Sequence, residues 1–177
     1  MARKAEDDEF AGFEVDYGRT AGVGKRLMYW LLAILPINLP VLLYVRVLAL
    51  DLQASGVLVG ATVIIASVML SLAYHNCAFA KSVKLRKGLE PPPKSAFRNR
   101  PEEHKKACDD LEANIRKSAV LYSVGYNNAI FLVCILPFGF QFLSSLMETP
   151  MNFATAYTFA ALLALVNSRS ARNLVNK

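Results

Sequence analysis

The sequence predicts an all-α integral membrane protein with four transmembrane helices and a central basic, cytosolic helical insert. Two observations carry this prediction. Hydrophobic residues make up 54% of the 177 residues and charged residues only 19%. The apolar residues are also clustered, because residues 55–79 and 119–142 contain no charged side chain and residues 27–50 contain only Arg46. A bilayer core about 30 Å thick needs roughly 20 apolar residues in a helix, so each run can cross it, and a soluble globular protein is excluded.

Residues 1–26 are predicted to form a cytosolic N-terminal arm. They hold five basic and six acidic residues and are interrupted by four glycines. The apolar run that follows is about 20 residues long, whereas the apolar stretch of a signal peptide typically has about 7–15 residues. The first span is therefore expected to be retained as an anchor.

Residues 27–79 are predicted to hold transmembrane helices 1 and 2. Pro36 and Pro40 lie four residues apart in the first span, where each proline removes a backbone donor and bends the helix. Membrane helices tolerate such bends when neighbouring helices satisfy the freed carbonyls, so we expect both prolines at a helix–helix contact. In the second span, Gly56 and Gly60 form a small-xxx-small pair, which favours close packing between these two helices.

Residues 80–118 are predicted to form the basic insert, since they hold eleven basic and six acidic side chains. The three consecutive prolines at 91–93 cannot be helical in their interior and predict a stiff, extended spacer. Pro101 then suits the first position of a helix, and Glu102 and Glu103 suit its first turn, near the positive end of the helix dipole. We expect a helix from about residue 101 that continues into the third span.

Residues 119–166 are predicted to hold transmembrane helices 3 and 4, followed by a cytosolic tail at 167–177. Asn127 and Asn128 are adjacent in the third span, at a depth where lipid offers no hydrogen-bond partner. Their amides are expected to bond to another helix and to contribute to helix packing. The fourth span is the weakest, because its apolar run covers only residues 151–166.

The distribution of basic residues predicts the orientation in the membrane. The arm, the insert and the tail carry 19 of the 20 lysines and arginines, while the loops at 51–54 and 143–150 carry none. Lysine and arginine accumulate in cytoplasmic loops of membrane proteins. Four spans place all three basic segments on the same side, so both termini are predicted to be cytosolic.

The sequence contains no recognisable catalytic motif. HExxH, GxSxG and Walker patterns are absent, and no span contains a pair of carboxylates. The three cysteines show no CxxC spacing, and His75 and His104 fall in different predicted segments. We therefore expect no catalytic site, no metal and no cofactor. Arg46 is the only charged residue within a predicted span, which disfavours transport, although a small multi-span transporter or lipid-handling membrane protein stays open as the alternative.

The basic insert allows two interpretations from its composition. Positive-inside topology together with attraction to anionic lipid accounts for the charge without a further partner. A surface that neutralises RNA phosphates accounts for it equally well. The residues that would form such a patch lie on or just before the predicted helix: Lys94, Arg98, Arg100, Lys105 and Lys106.

Four short segments carry a resemblance to a known family. They are PVLLYVR at 40–46, the Asp51-Leu52 pair, AYHN at 73–76 and YNNAIFLV at 126–133. Their order and approximate spacing resemble the gamma subunit of the translocon-associated protein complex, also called signal sequence receptor gamma. The resemblance covers most of residues 20–167 and includes the four spans and the basic insert. A shorter insert, the triple proline and a longer N-terminal arm depart from the family pattern.

The resemblance implies a non-enzymatic subunit of a hetero-oligomer in the endoplasmic reticulum membrane, multi-pass with both termini cytosolic. Its implied partners are the ribosome, through ribosomal RNA and a large-subunit protein, the Sec61 channel, the other subunits of the complex and membrane lipid. The implied function is support of co-translational protein translocation. Carried over to this sequence, the ribosome contact falls on Lys94, Arg98, Arg100, Lys105 and Lys106.

Overall fold

The computed structural model describes residues 21–97 and 100–175, and within these residues the chain is helical and contains no strand. Four helices are long and apolar enough to cross a membrane. The third of these spans includes the short helical turns that follow the α-helix. The prediction of an all-α membrane protein with four spans is confirmed. The helices are α1 (Val23–Val47), α2 (Leu52–Gly88), α3 (Pro101–Ile135) and α4 (Thr149–Val175), with a 3₁₀ turn at Lys94–Phe97, a π-helical segment at Leu136–Phe142 and a 3₁₀ turn at Leu143–Ser145.

Helices α2 and α3 are much longer than a bilayer requires. With 37 and 35 residues they extend about 55 Å and 52 Å, against a hydrocarbon core of about 30 Å. The insert is therefore built largely from the ends of two membrane helices. We call residues 80–118 the polar hairpin: it comprises the end of α2, the connection at 89–100 and the start of α3. Helix α2 ends at Gly88, shortly before the triple proline, and α3 begins at Pro101 as the sequence predicts.

Helix α2 packs against each of the other three long helices, and α4 is the most buried of them. Buried residues recur every three to four positions along α4. Most of them are aromatic residues or alanines, and the small alanine side chains let neighbouring backbones approach closely. Because 44% of its most apolar window is buried, against 28–33% in the other three spans, α4 presents less surface to lipid, which agrees with its weaker apolar signal in the sequence. Its inward residues include Phe153, Ala156, Tyr157, Ala160, Ala161 and Ala164.

The glycine pair of α2 does not lie in a helix–helix contact. Apart from the backbone of α2 itself, no atom of the described residues lies within 4 Å of a Cβ built at Gly56 or Gly60, and both glycines are exposed. The prediction that this pair packs against the first helix is wrong, because α2 directs its other face, with Val59, Ala66 and Leu70, into the core.

The two prolines of α1 lie inside a continuous helix. Pro40 is buried and Pro36 is partly buried. Between them, the carbonyl of Ile37 accepts a hydrogen bond of 3.0 Å from the hydroxyl of Tyr157 on α4. A buried polar contact between helices therefore falls within the proline-containing turn of α1.

A tight turn connects α1 to α2 at the end of the bundle opposite the polar hairpin. Ala49 adopts a positive φ of 51°, in the left-handed region that side chains rarely occupy. Its neighbour Leu50 donates its backbone N–H to the carbonyl of Tyr44 at 3.1 Å. Asp51 then caps α2, accepting from the backbone N–H groups of Gln53 at 2.8 Å and Ala54 at 3.3 Å.

Candidate functional site

A three-residue ion cluster joins the two arms of the polar hairpin. Arg86 on α2 forms a bidentate contact with Glu112 on α3, with Nη2 to Oε1 at 2.5 Å and Nε to Oε2 at 3.1 Å. Arg116 donates from Nε to Oε1 of the same carboxylate at 2.9 Å. Paired charged hydrogen bonds fix geometry as well as distance, so Glu112 sets the register between the arms.

The pKa of Glu112 lies below its ordinary value. Burial of the carboxylate acts to raise the pKa, and the hydrogen bonds and positive charges of Arg86 and Arg116 lower it by more. The carboxylate therefore stays ionised at neutral pH, and the cluster carries two positive charges against one negative charge.

The connection of the hairpin folds back over the start of α3. The Nε2 atom of His104 lies 3.0 Å from the carbonyl oxygen of Pro92, and the ring of Phe97 packs edge-on against the imidazole at 5.5 Å between centroids. A ring nitrogen that faces a carbonyl oxygen must carry the proton, so Nε2 donates. His104 thus holds the triple-proline segment against the helix.

The structure describes only part of the predicted basic patch. Arg98 and the side chain of Lys94 lie outside the described residues. Arg100 forms an exposed ion pair with Glu103 at 3.1 Å. Lys105 and Lys106 are exposed on α3 but lie one helical turn from carboxylates on either side. These carboxylates belong to Glu102, Asp109 and Asp110.

The two arms of the hairpin differ sharply in charge. Residues 80–99 contain six basic residues and one acidic residue, whereas residues 100–118 contain five of each. The whole positive excess therefore belongs to the α2 arm and the connection. On that arm Lys84 and Lys87 are exposed. Sequence reasoning missed these two lysines, and counting the charges on each side of residue 100 separately would have revealed them.

The asparagines of α3 lie in different environments. Asn128 accepts a short hydrogen bond from the hydroxyl of Tyr74 on α2. Asn127 is fully buried and donates from Nδ2 to the carbonyl of Ser123, one turn earlier in its own helix, at 2.8 Å. Its Oδ1 atom has no hydrogen-bond partner among the described residues. Ser123 in turn donates to the backbone carbonyl of Tyr74 at 2.6 Å, so this turn of α3 is bonded to α2 at two points.

A second buried amide, Asn152 on α4, joins three elements and was missed in the sequence. Its Oδ1 atom accepts from the hydroxyl of Tyr44 on α1 at 3.1 Å, and its Nδ2 atom donates to the carbonyl of Gly139 at 2.9 Å. Gly139 lies in the π-helical segment, and a Cβ there would overlap the Tyr44 hydroxyl. The argument applied to Asn127 and Asn128, an amide inside an apolar run, would have identified Asn152 as well.

The basic segments that the structure describes converge at one end of the bundle. Lys25, near the start of α1, lines the same cleft as Arg86 and Arg116 of the hairpin. Near the end of α4, Arg172 donates from Nη1 to Oδ1 of Asn76 on α2 at 2.9 Å. Within residues 21–97 and 100–175 no group of three side chains is arranged to hold a metal ion.

The fold and the charged end together define a class: a multi-pass helical membrane protein whose two central helices project a charged hairpin beyond the apolar layer. The sequence matches the family described as translocon-associated protein, gamma subunit (TRAP-gamma), over residues 14–169. It is also 28% identical over 140 residues to the translocon-associated protein subunit gamma of Dictyostelium discoideum, which covers 77% of this chain and 81% of that protein. The chain belongs to the TRAP-gamma family, as the sequence motifs predicted.

Proposed function

We propose that the chain is a non-enzymatic subunit of a translocon-associated complex in the endoplasmic reticulum membrane. It contacts the ribosome and the Sec61 channel and supports co-translational protein translocation. Family membership over residues 14–169 supports the assignment to the complex. The ribosome contact rests on a single observation, the unbalanced positive charge on the exposed side of the α2 arm and its connection.

The proposed mechanism is electrostatic tethering of the ribosome at a fixed distance from the membrane surface. The α3 arm, residues 101–118, extends about 27 Å at 1.5 Å per residue and continues into the membrane helix without a break. The ion cluster around Glu112 holds the α2 arm against it. Lysine and arginine side chains on this support neutralise the phosphates of ribosomal RNA without reading bases.

The RNA contact is assigned to the five sequence-predicted residues and to two further lysines on the α2 arm. Lys84 and Lys87 have no carboxylate within four residues on either side except Glu90 near Lys87, so their charge is little compensated along the chain. The mixed face of α3, where lysines alternate with carboxylates, suits contact with a large-subunit protein. The predicted residues are Lys94, Arg98, Arg100, Lys105 and Lys106.

The convergence of the basic segments supports the proposed topology, in which both termini and the hairpin face the cytosol. All three segments then lie on the side where lysine and arginine accumulate. The role of the spans is to bind the other subunits and the channel. Asn127, Asn128, Pro36 and Pro40 are proposed to maintain the packing of the helices that present this surface.

Cosedimentation with ribosomes tests the tether. The tagged protein from gently solubilised microsomes is sedimented with ribosomes across a salt series, beside a variant with Arg98, Arg100, Lys105 and Lys106 changed to Glu. We expect weaker association of the variant and a shallower salt dependence, since log affinity falls by roughly 0.7–0.9 per phosphate contact for each log unit of salt.

A control variant reverses basic charge at two positions outside the hairpin, against four positions in the hairpin variant. Arg26→Glu with Arg169→Glu changes two exposed basic residues near the ends of α1 and α4. If the hairpin binds the ribosome, this control variant should cosediment with ribosomes as the wild type does. Equal association of the hairpin variant and the wild type would refute the hairpin contact, and loss in the control alone would move the contact to the terminal segments.

A further inference from the structure

The outer surface of α1 carries an amide at the centre of its apolar run. Asn38 has eleven residues of the run 27–50 before it and twelve after it, and it is exposed. Its Nδ2 atom donates to the carbonyl of Ile34, one turn earlier in the same helix, at 2.7 Å. Among the described residues, its Oδ1 atom and its second N–H have no partner. Hydrocarbon offers none either, so the amide is costly at this depth unless another molecule bonds to it.

The corresponding outer surfaces of the other three spans are apolar. In residues 57–72 of α2, 129–136 of α3 and 159–166 of α4, every exposed residue is a glycine, an alanine or a larger apolar residue. Such surfaces suit contact with lipid chains, which offer no hydrogen bonds. The outer surface of α1 differs from them by its central amide, so it is the one that favours contact with protein.

The residues in line with Asn38 form a stripe with the spacing of a helix–helix contact. Its members recur at alternating intervals of four and three residues, which is the pattern of two helices in a left-handed pair. Its three leucines are exposed, and the buried Pro40 and half-buried Pro36 lie off the stripe. We call this set the α1 stripe: Leu31, Leu35, Asn38, Leu42 and Val45.

A positive charge flanks the α1 stripe at the end opposite the polar hairpin. Arg46 follows Val45 directly, is exposed, and forms no ion pair or hydrogen bond with the described residues. In paired helices, residues that flank the apolar seam form ion pairs across the contact. Arg46 lies eight residues after Asn38, about 12 Å along the helix axis. A partner must therefore match an amide and a positive charge at this spacing.

A second copy of this chain does not match the α1 stripe. Residues 23–47 contain no acidic side chain, so α1 of a second copy offers Arg46 no counter-charge. The acidic residue that follows in the chain, Asp51, already accepts from two backbone N–H groups of α2. The charge therefore favours a different polypeptide, which supplies its own carboxylate.

We infer that the α1 stripe binds a transmembrane helix of another subunit. That helix carries an amide or hydroxyl side chain near the middle of the membrane and an Asp or Glu at the level of Arg46. The inference rests on the proposed function for membership of a multi-subunit complex, and it adds the face that docks and the chemistry of the partner. The hydrogen bond to Asn38 satisfies the amide, and the carboxylate beside Arg46 selects this helix over others that are only apolar.

Photo-crosslinking identifies what contacts this face. Leu39 lies beside the α1 stripe and is 55% exposed, and Ile64 on the outer surface of α2 is 59% exposed and serves as the control position. Benzoylphenylalanine replaces either residue in the full-length chain in endoplasmic reticulum membranes, and the adducts are sequenced by mass spectrometry. We expect position 39 alone to give an adduct with an apolar segment that contains an Asp or Glu. Adducts with lipid only, with a second copy or with a segment without a carboxylate would overturn the inference, as would the same adduct from position 64.

Substitutions at the two polar residues test the chemistry of the contact. Asn38→Leu and Arg46→Gln should each lower the yield of the adduct from position 39 by about three- to twentyfold, the range that corresponds to hydrogen bonds between membrane helices. Arg46→Lys keeps the positive charge and should retain the adduct. Unchanged yields in Asn38→Leu and Arg46→Gln would show that neither side chain contributes to docking.

The purified chain separates docking from a role of Asn38 within α1. The unfolding temperature of Asn38→Leu in detergent micelles should match that of the wild type, because the amide is exposed and bonds to its own helix. A lower unfolding temperature together with an unchanged adduct yield would assign Asn38 to the stability of α1 and refute its role in docking.

Ribosome cosedimentation distinguishes a failure of this inference from a failure of the proposed function. The four-position hairpin variant is cross-linked from position 39 and is also sedimented with ribosomes. Unchanged ribosome association with the adduct present would refute the hairpin contact and leave the docking face standing. Weaker association with the adduct absent would support the hairpin contact and refute the docking face.

Discussion

The polar hairpin and the membrane-spanning bundle use polar side chains in opposite ways. In the bundle, several polar side chains are fully buried, and the single residue Asn152 connects α1, α4 and the π-helical segment. In the hairpin, charged groups are many and most of them are exposed. Glu112 is less exposed and joins the two arms through its contact with Arg86. Polar residues of the bundle therefore determine the fold, whereas most of those in the hairpin are available for partners.

This difference has an energetic origin. An unsatisfied polar group in hydrocarbon costs several kcal/mol, of the order of 2–7 kcal/mol by transfer scales, so the bundle retains such groups only where partners are fixed. Exposed ion pairs contribute only about 0–1 kcal/mol. Substitutions in the bundle should therefore change the stability of the protein, and substitutions in the hairpin should mainly change the binding of partners.

The largest effect is expected for Gly139→Ala. The added methyl would overlap the Tyr44 hydroxyl and approach Cβ of Ala156 to 3.2 Å, in a region where three helices meet. Overpacking of this kind typically costs about 1–3 kcal/mol, and we expect the upper end of that range because Tyr44 is fully buried. Thermal unfolding in detergent micelles measures the loss.

Gly125→Ala is the matched control for that substitution. Gly125 lies in α3, and outside the backbone of that helix the part of the chain that the structure describes has no atom within 4 Å of a Cβ built there. Alanine favours a helix over glycine by about 1 kcal/mol, so this variant should be neutral or slightly more stable. Equal destabilisation by the two substitutions would contradict the close contact at Gly139.

A smaller loss is expected for Asn152→Ala. The substitution leaves the Gly139 carbonyl and the Tyr44 hydroxyl without their partner, at a cost of about 1–2 kcal/mol. Asn127→Ala should cost less, because its Oδ1 atom has no hydrogen-bond partner among the described residues and its Nδ2 atom donates to the Ser123 carbonyl of its own helix. Unfolding of both variants in the same micelles gives the comparison, and the reverse order would refute it.

Acidification should loosen the hairpin before the bundle. Because the pKa of Glu112 is lower in the folded protein, its contribution to stability is present above the ordinary glutamate pKa of about 4.3 and is lost as the pH falls through the folded value. Hydrogen exchange of the amides at 104–116 should be unchanged, after correction for intrinsic rates, between pH 7 and 5 and should accelerate below that window.

Glu112→Gln tests the same cluster at neutral pH. The neutral amide keeps the shape of the side chain but loses the charge that holds both arginines, so amides 104–116 should exchange faster at pH 7 while those of α4 keep their protection. Unchanged exchange throughout the hairpin would show that the cluster does not hold the two arms together.

The smallest effect on stability, and a clear effect on binding, is expected for exposed lysines. Lys84→Glu with Lys87→Glu and Lys105→Glu with Lys106→Glu change the net charge equally on different arms. Neither pair should change the unfolding temperature from that of the wild type by more than the measurement error, since all four lysines are exposed. Ribosome cosedimentation should fall further for the first pair, because residues 100–118 carry compensating carboxylates. Equal losses of cosedimentation in the two pairs would show that the net charge of each arm does not determine ribosome binding.

The spans and the start of α3 could be predicted from the sequence because each depends on local chemistry. A run of apolar residues specifies a span, and Pro101 followed by Glu102 and Glu103 specifies a helix start. The bidentate contact of Arg86 with Glu112 could not be predicted in the same way. It joins residues 26 positions apart, and its existence depends on the register in which α2 and α3 pack.

The same reason accounts for the error at Gly56 and Gly60 and for the omission of Asn152. A small-xxx-small pair indicates that close approach is possible, but only the rotation of α2 decides which face meets a neighbour. Asn152 lies in the span with the weakest apolar signal, where burial by protein replaces contact with lipid. The predicted basic residues were chosen from the charge of the whole insert, whereas separate counts on either side of residue 100 show that residues 100–118 balance their own charge.

The unbroken course of α2 and α3 has a mechanical consequence. Neither helix contains a hinge between the hairpin and its spanning part. A sideways force on the hairpin therefore acts through a lever of about 25 Å, the length by which these helices exceed the hydrocarbon core. Such a force tilts both helices as one stiff beam, and the resulting torque reaches the turn at Ala49 and the π-helical segment on the far side of the bilayer.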